Sequence, residues 1–153
     1  MFFRITPKTH KLKLMHLSHN KIGDEGIKYL CESLKYNFSL SDLNLSSNEI
    51  GDEGIKYFSE YLKQNISLQT INLTCNKIGD EGMKYLSQSL KVNKTLKDLN
   101  FEINNIGDKG IKSLQSLDLE TFDLSENNIG EEGMKHFQYF EIKSFFENSY
   151  PFF

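Results

Sequence analysis

Residues 40–58 read LSDLNLSSNEIGDEGIKYF, and this stretch decides the architecture. Leu40, Leu43, Leu45 and Asn48 follow the spacing L-x-x-L-x-L-x-x-N. Leu43-Asn44-Leu45 alternates apolar, polar, apolar, as a half-buried strand does. A Gly-Asp-Glu-Gly motif then begins at Gly51. The same motif stands at Gly23 and Gly79, with Gly-Asp-Lys-Gly at Gly107 and Gly-Glu-Glu-Gly at Gly130. The first four are 28 residues apart and the last interval is 23. The apolar pattern returns in the same phase at Leu12, Met15, Leu17 and at Leu68, Ile71, Leu73, then at Leu96, Leu99, Phe101 and at Leu119, Phe122, Leu124. Five copies of two motifs in one phase identify a repeat architecture.

Each unit reads as strand, turn, helix, turn. In the first unit the chain turns at Ile22-Gly23, and Asp24 is expected as the helix N-cap. Ile27, Leu30 and Leu34 then form one apolar stripe at helical spacing. Asn37, Asn65 and Asn93 stand where a helix would stop in a left-handed residue. Lysine follows each helix-opening acid by four, as in Asp24–Lys28, Asp52–Lys56, Asp80–Lys84, Asp108–Lys112 and Glu131–Lys135, the favourable order for an ion pair. The asparagine column Asn20, Asn48, Asn76, Asn104 and Asn127 is read as a structural ladder bonding turn backbone between units, each member worth about 1–3 kcal/mol. The glycines are expected to allow tight turns and close helix packing.

Successive strands joined by helices run parallel, through right-handed crossovers. Strands stack about 4.8 Å apart, whereas helices need about 8–10 Å. The mismatch bends the stack with the sheet inside and the helices outside. The expected fold is therefore an α/β solenoid, a short horseshoe with a concave parallel sheet and convex helices. Residues 1–11 are an irregular flank, 12–140 hold five units starting near 12, 40, 68, 96 and 119, and 141–153 form an aromatic C-terminal tail. The tail is read as a cap for the last core face, or as a patch for a partner. The motif resembles the leucine-rich repeat family, specifically its ribonuclease-inhibitor-like 28-residue type, over about residues 12 to 140.

Composition excludes other classes. Of 153 residues, 38% are hydrophobic and 25% charged, ordinary for a folded domain, and the net charge is −3. Arg4 is the only arginine, so a phosphate-reading nucleic-acid protein is not expected. No apolar run reaches the roughly 18 residues of a membrane span, and no membrane partner is expected. Cys31 and Cys75 are too few for a disulfide framework. With no secretory signal, a cytoplasmic location is expected, and the five Asn-x-Ser/Thr sequons are read as a by-product of the repeat.

Catalytic and metal-binding constellations do not stand out. His19 and Cys75 lie two units apart, roughly 10 Å, too far for a dyad. A zinc site would want about four close nitrogen or sulfur ligands, so no metal or cofactor is expected. The variable strand positions are more informative. His16 and His19 open the concave face, Asn44 and Asn72 continue it, and Asp98, Asn100, Glu102, Glu120, Asp123 and Glu126 close it. Such a gradient would steer a protein carrying a basic patch.

The expected function is thus a non-enzymatic protein–protein interaction scaffold that binds a macromolecular partner on the concave sheet. The resemblance implies the same, since relatives include sensor arms of NOD-like receptors and actin-regulating tropomodulin-like domains. Two alternatives stand beside it. One is a GTPase regulator similar to the GTPase-activating protein of Ran. The other is a structural piece of a longer repeat array or of a NOD-like-receptor-type sensor arm.

Overall fold

A computed structural model describes residues 12–114 and 119–137. The expected flank at 1–11 and the aromatic tail at 141–153 lie outside the described residues. Five strands, β1 (Leu14–His16), β2 (Asp42–Asn44), β3 (Thr70–Asn72), β4 (Asp98–Asn100) and β5 (Thr121–Asp123), form one parallel sheet in sequence order. They alternate with helices α1 (Gly23–Leu34), α2 (Asp52–Leu62), α3 (Asp80–Leu90), α4 (Asp108–Ser113) and α5 (Glu131–Phe137). This is the α/β leucine-rich solenoid the sequence predicts. The 23-residue interval shows in α4, which spans 6 residues where α3 spans 11.

Register converts the repeat into a core. Met15, Leu43, Ile71, Leu99 and Phe122 are successive cross-strand partners. Leu45, Leu73, Phe101 and Leu124 form a second buried column, and Leu40, Leu68, Leu96 and Leu119 a third. The helices close over these columns with Ile27, Ile55, Met83 and Ile111. Phe101 and Phe122 meet edge to face, their centroids 5.9 Å apart, where a neighbouring unit carries leucine or isoleucine.

Three sets of polar side chains bind each unit to the next. Asn76 accepts from the N–H groups of Asn48 (3.1 Å) and Ile50 (3.0 Å) and donates to the carbonyls of Leu45, Leu73 and Thr74. Asn48, Asn104 and Asn127 each bind the preceding unit in the same way, while the first member, Asn20, donates within its own turn. Asn48 and Asn104 are buried, so these bonds satisfy turn backbone that water does not reach.

The aspartates act differently from expectation. They do not cap their own helices. Asp24 Oδ1 accepts the N–H of Gly51, the residue preceding α2, at 2.7 Å. Asp52 takes Gly79, Asp80 takes Gly107, and Asp108 takes Gly130, each at 2.7 Å. Asp80 also takes Gly110 N–H at 2.9 Å. Each unit therefore caps the helix of the unit after it. The second glycine makes room: a Cβ on Gly82 would stand 2.6 Å from Asp52 Oδ1, and one on Gly110 2.7 Å from Asp80 Oδ1. With the aspartates so engaged, the helix lysines turn to the adjacent glutamates. Lys56 pairs with Glu53 at 3.0 Å, Lys84 with Glu81 at 3.3 Å and Lys135 with Glu132 at 2.6 Å. In the four units that carry a glutamate there, such pairs replace the expected i, i+4 partners, and their exposure makes each worth little.

The asparagines after the helices also differ from expectation. Asn37, Asn65 and Asn93 are absent from the left-handed residues. Their Oδ1 atoms instead accept the N–H groups two and three residues on, as Asn65 does from Ser67 (3.0 Å) and Leu68 (2.8 Å). Asn93 also donates to the carbonyls of Leu62 and Asn65, both at 2.9 Å. A short side chain that satisfies local backbone ends the helix without a positive φ.

Asp52→Ala should cost about 1–3 kcal/mol, because it leaves the half-buried Gly79 N–H without its acceptor. Gly82→Ala should cost about 1–3 kcal/mol through the clash with the same carboxylate. In a double-mutant cycle the pair should cost at least about 1 kcal/mol less than the sum. Additive losses in urea denaturation would show that the two residues do not share one lock.

Candidate functional site

The helices cover one face of the sheet and leave the other open. On β2 to β4 the outer residues of each strand are half-buried and point to this open face, while the middle residue is buried. Asn44, Asn72, Asn100 and Asp123 are successive neighbours across it. Each uses Oδ1 to accept the N–H two residues on, at 3.0 Å for Asn44 and 2.9 Å for the others. Thr74 Oγ1 donates to Asn100 Oδ1 at 2.8 Å. The oxygens are thus committed to the protein. The amide NH2 groups of Asn44, Asn72 and Asn100 have no acceptor among the described residues, so this floor is a row of pinned donors.

The acids collect at one end. Asp98 lies on β4 with Glu102 just beyond it, and Asp123 lies on β5 with Glu126 just beyond it. Asp98 accepts the hydroxyl of Thr121 at 2.6 Å, and Asp123 that of Ser125 at 2.7 Å. Glu120 is exposed immediately before β5. His16 and His19 are exposed at the β1 end, so the structure keeps them apart from the acids. Asp42 brings a carboxylate as far as β2, bonded to the Ser41 hydroxyl, so the middle of the face is less neutral than expected. Among the described residues no group of three or more His, Cys, Asp or Glu is placed to hold a metal ion. No described helix is long and apolar enough to cross a membrane.

One column carries a signal the sequence hides. His19, Ser47, Cys75, Ile103 and Glu126 immediately precede the ladder asparagines and all have φ between 54° and 61°. None is glycine, so the pattern offers no cue. Ile103 is β-branched, 46% exposed and held at φ 54°. A β-branched residue is disfavoured in this region, and such strain gathers where a surface is used. Its neighbours in this column are Cys75 and Glu126, and Glu102 precedes it in the chain, which places an apolar side chain beside two acids.

On the helical side a cleft of about 190 Å³ opens between α1 and α2, lined by Cys31, Tyr57, Tyr61, Lys28 and Lys35 among others. Burial, reinforced by the nearby Glu32 carboxylate, pushes the Cys31 thiol up to about 12. Burial, then the charge of Cys31, pushes the Tyr61 phenol up to about 12 against a hydrogen bond from Asn65. A thiol that keeps its proton is a poor nucleophile, and Cys31 has the packing role of a small apolar residue.

A leucine-rich repeat model matches residues 9–31, 36–59, 64–87, 92–115 and 115–137, one match per unit. The chain belongs to the leucine-rich repeat family. No curated protein matches this leucine-rich repeat chain in sequence. Solved structures share its fold. The tropomodulin C-terminal domain of Caenorhabditis elegans is similar with a TM-score of 0.66 at 16% identity, over 83% of this chain and 80% of that one. A structure described as leiomodin-1 actin-binding site 2 is similar with a TM-score of 0.63 at 19% identity, over 82% of this chain and 76% of that one.

Two measurements check these environments. In the folded protein at pH 8 a disulfide reagent should label exposed Cys75 rapidly and Cys31 only after denaturation. Both raised groups hold their protons in the fold and release them more readily unfolded, so stability should fall as pH rises from about 9 toward 12. Equal labelling of both thiols before unfolding would contradict the buried site. Ile103→Asn should raise stability by about 1 kcal/mol, since asparagine tolerates the left-handed region and the site buries little. A lower melting temperature would show that Ile103 is packed rather than strained.

Proposed function

We propose that this protein is a non-enzymatic interaction scaffold, and that a protein partner with a basic patch docks on the open, concave face of the sheet. The observation that carries this reading is the polar floor, whose oxygens are held by backbone while donor groups and carboxylates remain presented. Rigidly held polar groups cost little ordering on binding. Ile103 supplies an apolar anchor between Glu102 and Glu126, and the acids favour encounter with a cationic partner. The 28-residue period and helical outer side support the ribonuclease-inhibitor-like subtype. A cytoplasmic location fits the two free thiols.

The structural neighbours give a first partner to test. One of them is described as an actin-binding site, and both share the fold over most of their own length. Actin is therefore the first candidate.

The test uses charge reversal that spares the fold. Asp98 and Asp123 hold structural hydrogen bonds, so the variant carries Glu102→Lys, Glu126→Lys and Asp123→Asn, which keeps an oxygen for Ser125. The wild type should capture a partner from lysate, or co-sediment with actin, and the variant should bind at least tenfold more weakly with an unchanged circular dichroism melt. Equal capture by both proteins would move the binding site off this face.

A further inference from the structure

Over the first three units the two edges of the solenoid carry opposite charge, whereas the segment between α4 and β5 holds Asp118 and Glu120. On one edge the first helical turns hold Asp24, Glu25, Asp52, Glu53, Asp80 and Glu81, and the turns before them add Glu49 against Lys21 and Lys77. The loops leading from helix back to strand, residues 35–41, 63–69 and 91–97, contain no Asp or Glu. They contain five lysines, Lys35, Lys63, Lys91, Lys94 and Lys97. Because the strands are parallel and consecutive, these three loops lie side by side on one edge. Backbone bonds join them, from Gln69 N–H to Ser41 and from Lys97 N–H to Gln69. The net charge of −3 conceals this separation.

The same edge exposes large apolar side chains. Tyr36 is 80% exposed, Phe38 58%, Ile66 70% and Val92 61%. Each unit thus contributes at least one apolar side chain beside a lysine. Lys35 stands 5.7 Å from the Tyr36 ring centroid, and Lys63 is paired with Glu60 at 2.7 Å. Lys91 and Lys94 are exposed.

We propose that this edge docks on an anionic lipid surface, with Tyr36, Phe38, Ile66 and Val92 entering the headgroup layer and the lysines facing lipid phosphates. Charge complementarity and the kind of apolar surface select this occupant over an acidic protein. The four apolar side chains are spread over three loops, Tyr36 and Phe38 sharing one, of units whose helices pack about 8–10 Å apart. A protein interface needs a continuous dry core and favours arginine over lysine. A bilayer surface accepts separate apolar side chains one at a time. It also attracts lysine from a distance, by about fivefold in affinity for each lysine near the surface. That no described helix is long and apolar enough to cross a membrane bears on insertion and leaves surface docking open. The concave face is separate from this edge, so the two can be occupied together.

The experiment is co-flotation with vesicles of 30% phosphatidylserine in phosphatidylcholine, compared with pure phosphatidylcholine vesicles. Binding should require phosphatidylserine and should weaken as salt rises. Lys91→Glu with Lys94→Glu should reduce it at least tenfold, as should Tyr36→Ser with Ile66→Ser and Val92→Ser. Lys21→Glu with Lys109→Glu makes the same change in net charge on the opposite edge and should leave it within twofold. Circular dichroism melts verify that each variant is folded. No binding to phosphatidylserine vesicles, or equal loss with the opposite-edge variant, overturns the proposal. Loss with the lysine variant but not with the serine variant, together with equal binding to polyglutamate, overturns it in favour of an acidic protein.

Discussion

A strand–helix unit of this size cannot satisfy its own turns. The backbone N–H and C=O groups between strand and helix are buried against the next unit, and an unpaired buried amide costs as much as a lost hydrogen bond. Each unit therefore borrows polar atoms from its neighbour. The asparagine ladder serves the turn after the strand, the aspartates serve the start of the next helix, and Asn93 serves the loop behind it. The leucine columns supply most of the apolar burial, but they would tolerate sliding. The polar locks do not, because Asp52 reaches Gly79 only when α2 and α3 are in one register. The strict Gly-x-x-Gly spacing follows: one glycine donates the N–H and the other leaves room for the carboxylate.

Locking the turns frees other positions to vary. Apart from the repeated Asn44, Asn72 and Asn100, the strand residues on the open face, the left-handed column and the helix-to-strand loops carry little of the register, so they differ from unit to unit. Chemistry accumulates there as a row of amide donors, as acids around Ile103 and as lysines with exposed apolar side chains. A single rigid frame thus presents a polar face and a basic, apolar edge in fixed relation.

Much of the fold was legible in the sequence. The apolar alternation and 28-residue period lead directly to the parallel sheet, and the short fourth helix follows from the missing five residues. What was misread has a common cause. In a strict repeat every helix start carries the same aspartate, and spacing alone does not say whether that carboxylate serves its own helix or the next one. The i, i+4 rule made Lys56 seem the partner of Asp52, although the neighbouring unit had already claimed that carboxylate. Asn65 looked like a left-handed stop because asparagine serves both purposes. The left-handed column was invisible because it holds histidine, serine, cysteine, isoleucine and glutamate, with no glycine to mark it. The donor and acid positions of the candidate face could be listed from the strand phase. That the oxygens of Asn44, Asn72, Asn100 and Asp123 are tied to backbone emerged only from the hydrogen bonds.

The shortened α4 has a consequence for motion. In a solenoid, stability is close to a sum of unit and neighbour terms, so the junction with the least helix packing opens first. With α4 reduced to Asp108–Ser113, that junction lies around the fourth and fifth units. Hydrogen exchange there should report a local opening free energy below that of the central units. The acids Asp98, Glu102, Asp123 and Glu126 lie on this same stretch of the array. A ligand held there would bind the closed form alone and so slow opening at that junction.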